Sequence, residues 1–387
     1  MFRYIFLCLF SIFSICFGSN PVLPKDNRAL TLEEMDLANQ MLDKIDYLIQ
    51  ARRNYEKTYS VDPLFSEGDN FWKKDESKKS LLELQAEAII QKRSPVVLRN
   101  LKLFCPFFTG LSAISDYDKI VYYGRLEFDE EELERNIQNN LEKNGLSNFT
   151  YFIDMVDRRY RLPPQCIFQP PIFLGECGVK AKALGKELLI NDDIVAYQER
   201  AALMQFMGIF QHLEELSKKK GVVKVLEIGG GYGALAYFIR QVFPHVQYTI
   251  IDLPESLLFS SLYLALNYQD LSHAVFLSDA EDIFDQATFR YVPHFASHQI
   301  EESFDLIINT LSMSEMTEYQ VKTYLDLMKK KWLTTQGIFF EQNQNNNFLG
   351  WSNAEDIIRK DLTLIKTCRK EAFGLRQGNA NIWKTHP

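Results

Sequence analysis

Four of five consecutive residues are glycine in Gly229-Gly230-Gly231-Tyr232-Gly233, directly behind the apolar stretch 222–228. Glycine at that density has a physical use. It permits positive φ and lets a ligand approach the backbone where a Cβ would stand in the way. Glu227 precedes the run by two residues, and Asp252 follows the next apolar stretch, 247–251. A carboxylate about twenty residues past such a turn, at the end of the following strand, can accept hydrogen bonds from both hydroxyls of a ribose. The pattern calls for a ligand containing a nucleoside. Glu227, Gly229, Gly230, Gly231 and Gly233 would surround one end of it, with Asp252 and Leu253 at the ribose.

Two ligand classes satisfy that description. A dinucleotide is one, since Gly229-x-Gly231-x-x-Ala234 meets the loose form of its fingerprint. S-adenosylmethionine is the other, and Glu227 favours it: a pyrophosphate gains nothing from a neighbouring negative charge, whereas a sulfonium and an ammonium do. Gly233 adds a third glycine at alternating spacing, which suits an amino-acid moiety better than a diphosphate.

Further candidates stand at the ends of later apolar stretches. Asn309 closes one of them as a further cofactor contact, and the loop 311–317 behind it carries Ser314, expected to touch the acceptor, and Glu315. Methyl transfer is a direct displacement, so a protein must hold the accepting oxygen in line and keep water out. A hydroxyl is a weak nucleophile at neutral pH and gains from a general base. Glu315 is the carboxylate placed for that work; its alternative role is to complement the dipole of the helix that follows. Glu341 and Asn343, at the end of the next stretch, could bond acceptor hydroxyls, whereas 345–347 reads as a solvated loop. His294 and His298 precede the fourth strand and are expected to be packing or loop residues. No metal-ligand spacing occurs, although strand-end carboxylates could hold a magnesium ion.

Helices and strands must alternate to place these residues together. A helix over 194–218 leads into strand 222–228, and helices then alternate with strands 247–251, 274–277, 304–309 and 337–341. Apolar strands alternating with helices imply a parallel sheet covered on both faces. The last two strands, 363–373 and 379–385, leave no room for a crossover and must pair antiparallel. The expectation is therefore a doubly wound α/β fold. Its seven-stranded, mostly parallel sheet would end in an antiparallel hairpin, after a mainly helical N-terminal region. That hairpin stands where a dinucleotide fold needs its second half, a third feature favouring S-adenosylmethionine.

Residues 227–255, with Gly-Gly-Gly-Tyr-Gly and Ile-Asp-Leu-Pro-Glu, resemble small-molecule O-methyltransferases, as does 304–316 with Asn-Thr-Leu-Ser-Met-Ser-Glu-Met. The combination is most similar to the sugar O-methyltransferase family of antibiotic-tailoring pathways, from about residue 172 to the C-terminus. The resemblance implies a class I methyltransferase domain over 194–387, S-adenosylmethionine as cofactor, and a sugar or glycosylated small molecule as acceptor. It also implies that Asp279 and Ala280 border the adenine; capping of the helix that follows is Asp279's other reading. A phenolic or polyketide acceptor, a nicotinamide-dependent oxidoreductase and a binding-only descendant are the competing readings. The histidine that many plant relatives carry in the acceptor loop is missing here.

The rest of the chain sets the surroundings. A net charge of −8 excludes an extended phosphate-neutralising face, so no nucleic-acid partner is expected. Residues 1–18 combine an early Arg3, an apolar run and a small-x-small end, the pattern of a signal peptide or an uncleaved anchor. Export or membrane anchoring is expected if that segment is used, and a cytoplasmic protein if it is not. Residues 19–193 read as mainly helical and are expected to cover the acceptor. Capping-box patterns open helices at Thr31 and Ser80, and a third helix is expected over 129–143. Cys166 and Cys177 could pair in an oxidising compartment.

Overall fold

The computed structural model describes residues 29–66, 80–104, 146–155, 162–169, 179–183, 186–350 and 352–385, with single positions at 131, 135, 138 and 139. The N-terminal segment 1–18, the helix expected over 129–143 (apart from single positions) and Cys177 lie outside the described residues. Cys166 carries a free, buried thiol. Among the described residues no helix is long and apolar enough to cross a membrane.

The chain forms two compact units, and the division falls inside the helix Asp192–Phe206. In the first unit an antiparallel hairpin, β1 (Val179–Ala183) and β2 (Lys186–Ile190), precedes that helix. The Gln198 side chain ties the helix to the preceding loop. It accepts from the Phe168 amide at 2.7 Å and donates to the Cys166 carbonyl at 3.1 Å.

The second unit holds an eight-stranded sheet and, in addition, residues 30–95. Its strands are β3 (Val223–Ile228), β4 (Val246–Asp252), β5 (His273–Val275), β6 (Phe289–Pro293), β7 (Phe304–Thr310), β8 (Leu333–Gln342), β9 (Thr363–Cys368) and β10 (Ala380–Lys384). They lie in the order β5-β6-β4-β3-β7-β8-β10-β9. From β5 to β8 every pairing is parallel, and β10 is antiparallel to both β8 and β9. The doubly wound sheet with its antiparallel end is thus as expected, but it has eight strands rather than seven. The added strand is β6, which takes the place beside β4 and pushes β5 to the edge.

Sequence chemistry accounts for the elements. All seven residues of β7 are buried, as a strand covered on both faces requires. Its Asp305 is neutralised by the Lys220 ammonium. Leu226, Ile228, Ile251, Ile307 and Phe339 share one core with Trp332 and Trp383. The helix expected over 194–218 is broken at Gly208, whose φ of 88° no helical residue adopts; helix Ile209–Lys220 begins behind it.

The helix Leu32–Tyr59 opens on the expected capping box, in which Thr31 and Glu34 each accept from the other's amide. It packs against helix Pro254–Asn267, the element that follows β4. The Arg52–Glu255 ion pair at 2.5 Å fastens this contact, and Lys44 reaches Asp279, behind β5, at 2.8 Å.

Candidate functional site

The turn after β3 is shaped by close approach. Gly229 has φ 76°, and a Cβ built there would lie 2.1 Å from the Ser312 hydroxyl oxygen. Only glycine lets the loop behind β7 sit directly on this turn. Two residues on, the Gly231 amide donates to one Asp252 oxygen at 3.0 Å, and the Leu253 amide donates to the other at 2.7 Å. Burial pushes the Asp252 carboxyl up to about 7 against the pull of those bonds. Glu227 is buried beneath the turn and accepts from the Tyr248 hydroxyl at 2.9 Å. Its carboxylate lies close under Gly230.

A cleft opens above the carboxyl ends of β3, β4 and β7. Gly229, Asp252 and Leu253 line it at the strand ends, with Ser312, Glu315 and Met316 of the loop behind β7. Phe65, Gln320 and Tyr324 also line it. Ligands of open α/β sheets bind above the carboxyl ends of the strands, and this cleft has that position. Glu315 therefore lines the same space as Asp252. It ends the short turn Ser312–Ser314 and precedes the Thr317 cap of helix Glu318–Leu327, outside the helix itself.

Other expected site residues are placed differently. Asp279 ends the edge strand region after β5, not the strand beside β4. Its carboxylate is taken by Lys44 and by the Val275 amide, at 2.7 Å from the latter. Ala280 is exposed and caps the short helix Glu281–Gln286. Neither lines the cleft. The inserted β6 is the reason, because it delivers His294 to the position next to Asp252. His294 was expected among packing residues, yet it lines the cleft and is 5% exposed. Neither ring nitrogen makes a well-formed hydrogen bond, although the carbonyls of Ser66 and Asp252 lie near enough to act on the ring. Burial and the Arg52 charge push its pKa down to about 3, so the imidazole is neutral, with one donor and one acceptor to offer.

Asn309, Ser314, Glu341 and Asn343 are brought together, but inside the protein and not on the cleft wall. Asn309 is fully buried. It donates to the Ile228 carbonyl at 2.8 Å and to the Ser312 hydroxyl at 2.5 Å. Glu341 accepts from Asn381, Trp383 and Asn343, and burial lifts its carboxyl to about 7. A carboxylate that enclosed cannot reach an acceptor. Among the described residues, no group of three His, Cys, Asp or Glu could hold a metal ion.

Residues 201–269 match the sequence profile of the O-methyltransferase domain family. The matched segment is 69 residues long. It contains the turn 229–233 and Asp252, and the cofactor of such a domain is S-adenosylmethionine. No curated protein sequence matches the chain. Among solved structures, the PH0226 protein of Pyrococcus horikoshii OT3 is 11% identical, with 47% of this chain and 92% of that one covered and a TM-score of 0.32. The N-methyltransferase NodS of Bradyrhizobium japonicum WM9 is 18% identical, with 47% and 97% covered and a TM-score of 0.30. The glycopeptide N-methyltransferase MtfA, solved with S-adenosylmethionine, is 12% identical, with 46% and 87% covered and a TM-score of 0.28. Overlaps this loose carry no weight beside the strand order and the matched domain.

Proposed function

We propose that the chain is an S-adenosylmethionine-dependent methyltransferase that methylates a hydroxyl of a sugar or a glycosylated small molecule. One observation carries the reading: the Gly231 amide and Asp252 join the turn after β3 to the end of β4, and Glu315 lines the same cleft. Asp252 would accept from the ribose hydroxyls, and Glu227 beneath the turn would favour the cationic end of the cofactor. His294 would meet a polar edge of the ligand with its neutral imidazole.

The acceptor oxygen attacks the sulfonium methyl carbon while the carbon–sulfur bond breaks. An ether and S-adenosylhomocysteine result, and the hydroxyl proton passes to Glu315. The residue's place on the cleft wall and the absence of a histidine from the loop 311–317 support that role. A phenolic acceptor is the second reading, because Phe65 and Tyr324, with ring centroids 5.2 Å apart, line the same cleft.

Incubation with cofactor labelled at the methyl group, against parallel sets of glycosides and phenols, separates the two. Label entering glycosides supports the sugar reading. Label entering phenols alone replaces it with the second.

A further inference from the structure

The buried amides behind the cleft form a connected chain. The Asn343 oxygen accepts from the Ser314 amide at 3.1 Å, and its nitrogen donates to Asn309 and to Glu341, each at 2.9 Å. Asn309 passes the contact on to Ser312, which sits over Gly229. On the far side, Asn381 and Trp383 of β10 hold the other Glu341 oxygen at 2.6 and 3.3 Å.

The loop held by this chain is strained. Leu311 has φ 70° and ψ −35°, a left-handed conformation that a branched side chain resists. Such backbone persists only where its surroundings over-determine it. Here the Leu311 amide donates to the Gln342 carbonyl at 2.9 Å, and its own carbonyl accepts from the Ser314 hydroxyl. Asn346 donates to the Ser314 carbonyl at 3.0 Å.

A carboxylate only accepts hydrogen bonds, whereas an amide side chain has a donating and an accepting end. Glu341 therefore decides which way Asn343 points. With the nitrogen turned to Glu341, the oxygen must face the loop, where it meets the Ser314 amide. If Asn343 were reversed, its nitrogen would confront that N–H and its oxygen would confront a carboxylate.

We infer that Glu341 and Asn343 are positioning residues: the carboxylate orients the amide, and the amide holds the kinked loop 311–316 so that Ser312 and Glu315 face the cleft. The inference rests on the reading that this loop is the acceptor wall. It replaces the direct acceptor contacts expected of Glu341, Asn343 and Ser314.

Hydrogen–deuterium exchange on the unliganded full-length chain tests it. Asn343→Asp keeps the shape of the side chain but sets a second charge against Glu341. Exchange over 311–316 should rise at least tenfold, as expected when a clamped loop opens, while β3 and β4 keep their protection. Adding Glu341→Gln should restore part of the protection. Its amide nitrogen can donate to the new carboxylate while its oxygen still accepts from Asn381 and Trp383. Asn343→Ala, free of the repulsion, gives the same loop-restricted rise if the first variant does not fold.

Unchanged loop exchange in a folded Asn343 variant overturns the inference. So does a double variant no better protected than Asn343→Asp alone. Binding of S-adenosylhomocysteine to the unaltered chain tests the proposed function separately, because the exchange comparison uses no ligand.

Discussion

The backbone amide of Gly231 and the carboxylate of Asp252 meet at 3.0 Å, joining the turn after β3 to the end of β4 before any ligand arrives. That bond fixes one Asp252 oxygen, and the Leu253 amide fixes the other. Asp252→Ala should weaken binding of S-adenosylhomocysteine by about 1–3 kcal/mol, the scale for losing a charged hydrogen-bond partner. Calorimetry on the folded variant reads this directly, and an unchanged affinity would remove Asp252 from the cofactor site.

The same carboxylate carries a pH signature. Its pKa is raised from 3.8 to about 7, and the ionised form is the one that accepts two hydroxyls. Cofactor affinity should therefore increase as pH rises from 6 to 8, and Asp252→Asn should flatten that increase. For folding the sign is opposite. A carboxyl whose folded pKa is raised adds stability that is complete below its unfolded value, near 4, and lost as pH rises through about 7. Glu341, raised from 4.5 to about 7, acts in the same direction. Thermal melts of the wild type and Asp252→Asn at pH 5.5 and 8 should show a smaller pH difference in the variant.

Glu315→Gln separates chemistry from binding. If Glu315 removes the hydroxyl proton, turnover should fall by about 10²–10⁴-fold while affinity for S-adenosylhomocysteine stays unchanged. Turnover within a few-fold of wild type would assign the proton to another group on the cleft.

Asp279 gives the opposite pattern, because its partner is Lys44 of the helix Leu32–Tyr59. Asp279→Ala and Lys44→Ala should each lower stability, by about 1 kcal/mol for a partly buried pair, with little effect on cofactor affinity. The double variant should lose less than the sum of the two, since either change alone breaks the bond. A selective loss of cofactor binding in Asp279→Ala would return that residue to the site.

Gly229→Ala tests the contact between the two loops. The added carbon meets the Ser312 hydroxyl oxygen at 2.1 Å, and the backbone is left-handed there. Overpacking of this kind costs about 1–3 kcal/mol. Melting temperature and cofactor affinity should therefore fall together.

What could be read from the sequence follows the range of the interactions. Capping at Thr31 and Ser80 involves residues three apart and is visible locally. Strands β3, β4 and β7 and the 337–342 part of β8 are largely buried on both faces, so they show as apolar runs between helices. β6 does not show. Its five residues, Phe-Arg-Tyr-Val-Pro, include Arg290, buried through its ion pair with Glu302, and end in proline. With β6 unseen, Asp279 takes the third-strand role on paper and His294 falls at the wrong end of the sheet. The role of Glu341 was hidden by distance. Whether a polar strand end faces a ligand or a neighbouring strand depended on Asn381 and Trp383, some forty residues later.

The central claim is that the cleft between Asp252 and Glu315 binds S-adenosylmethionine, and parallel calorimetric titrations of the full-length chain test it most directly. S-adenosylhomocysteine should bind saturably at one site per chain, NAD should give no binding heat, and Asp252→Ala should weaken the first titration. Saturable binding of NAD with none of S-adenosylhomocysteine would contradict the account.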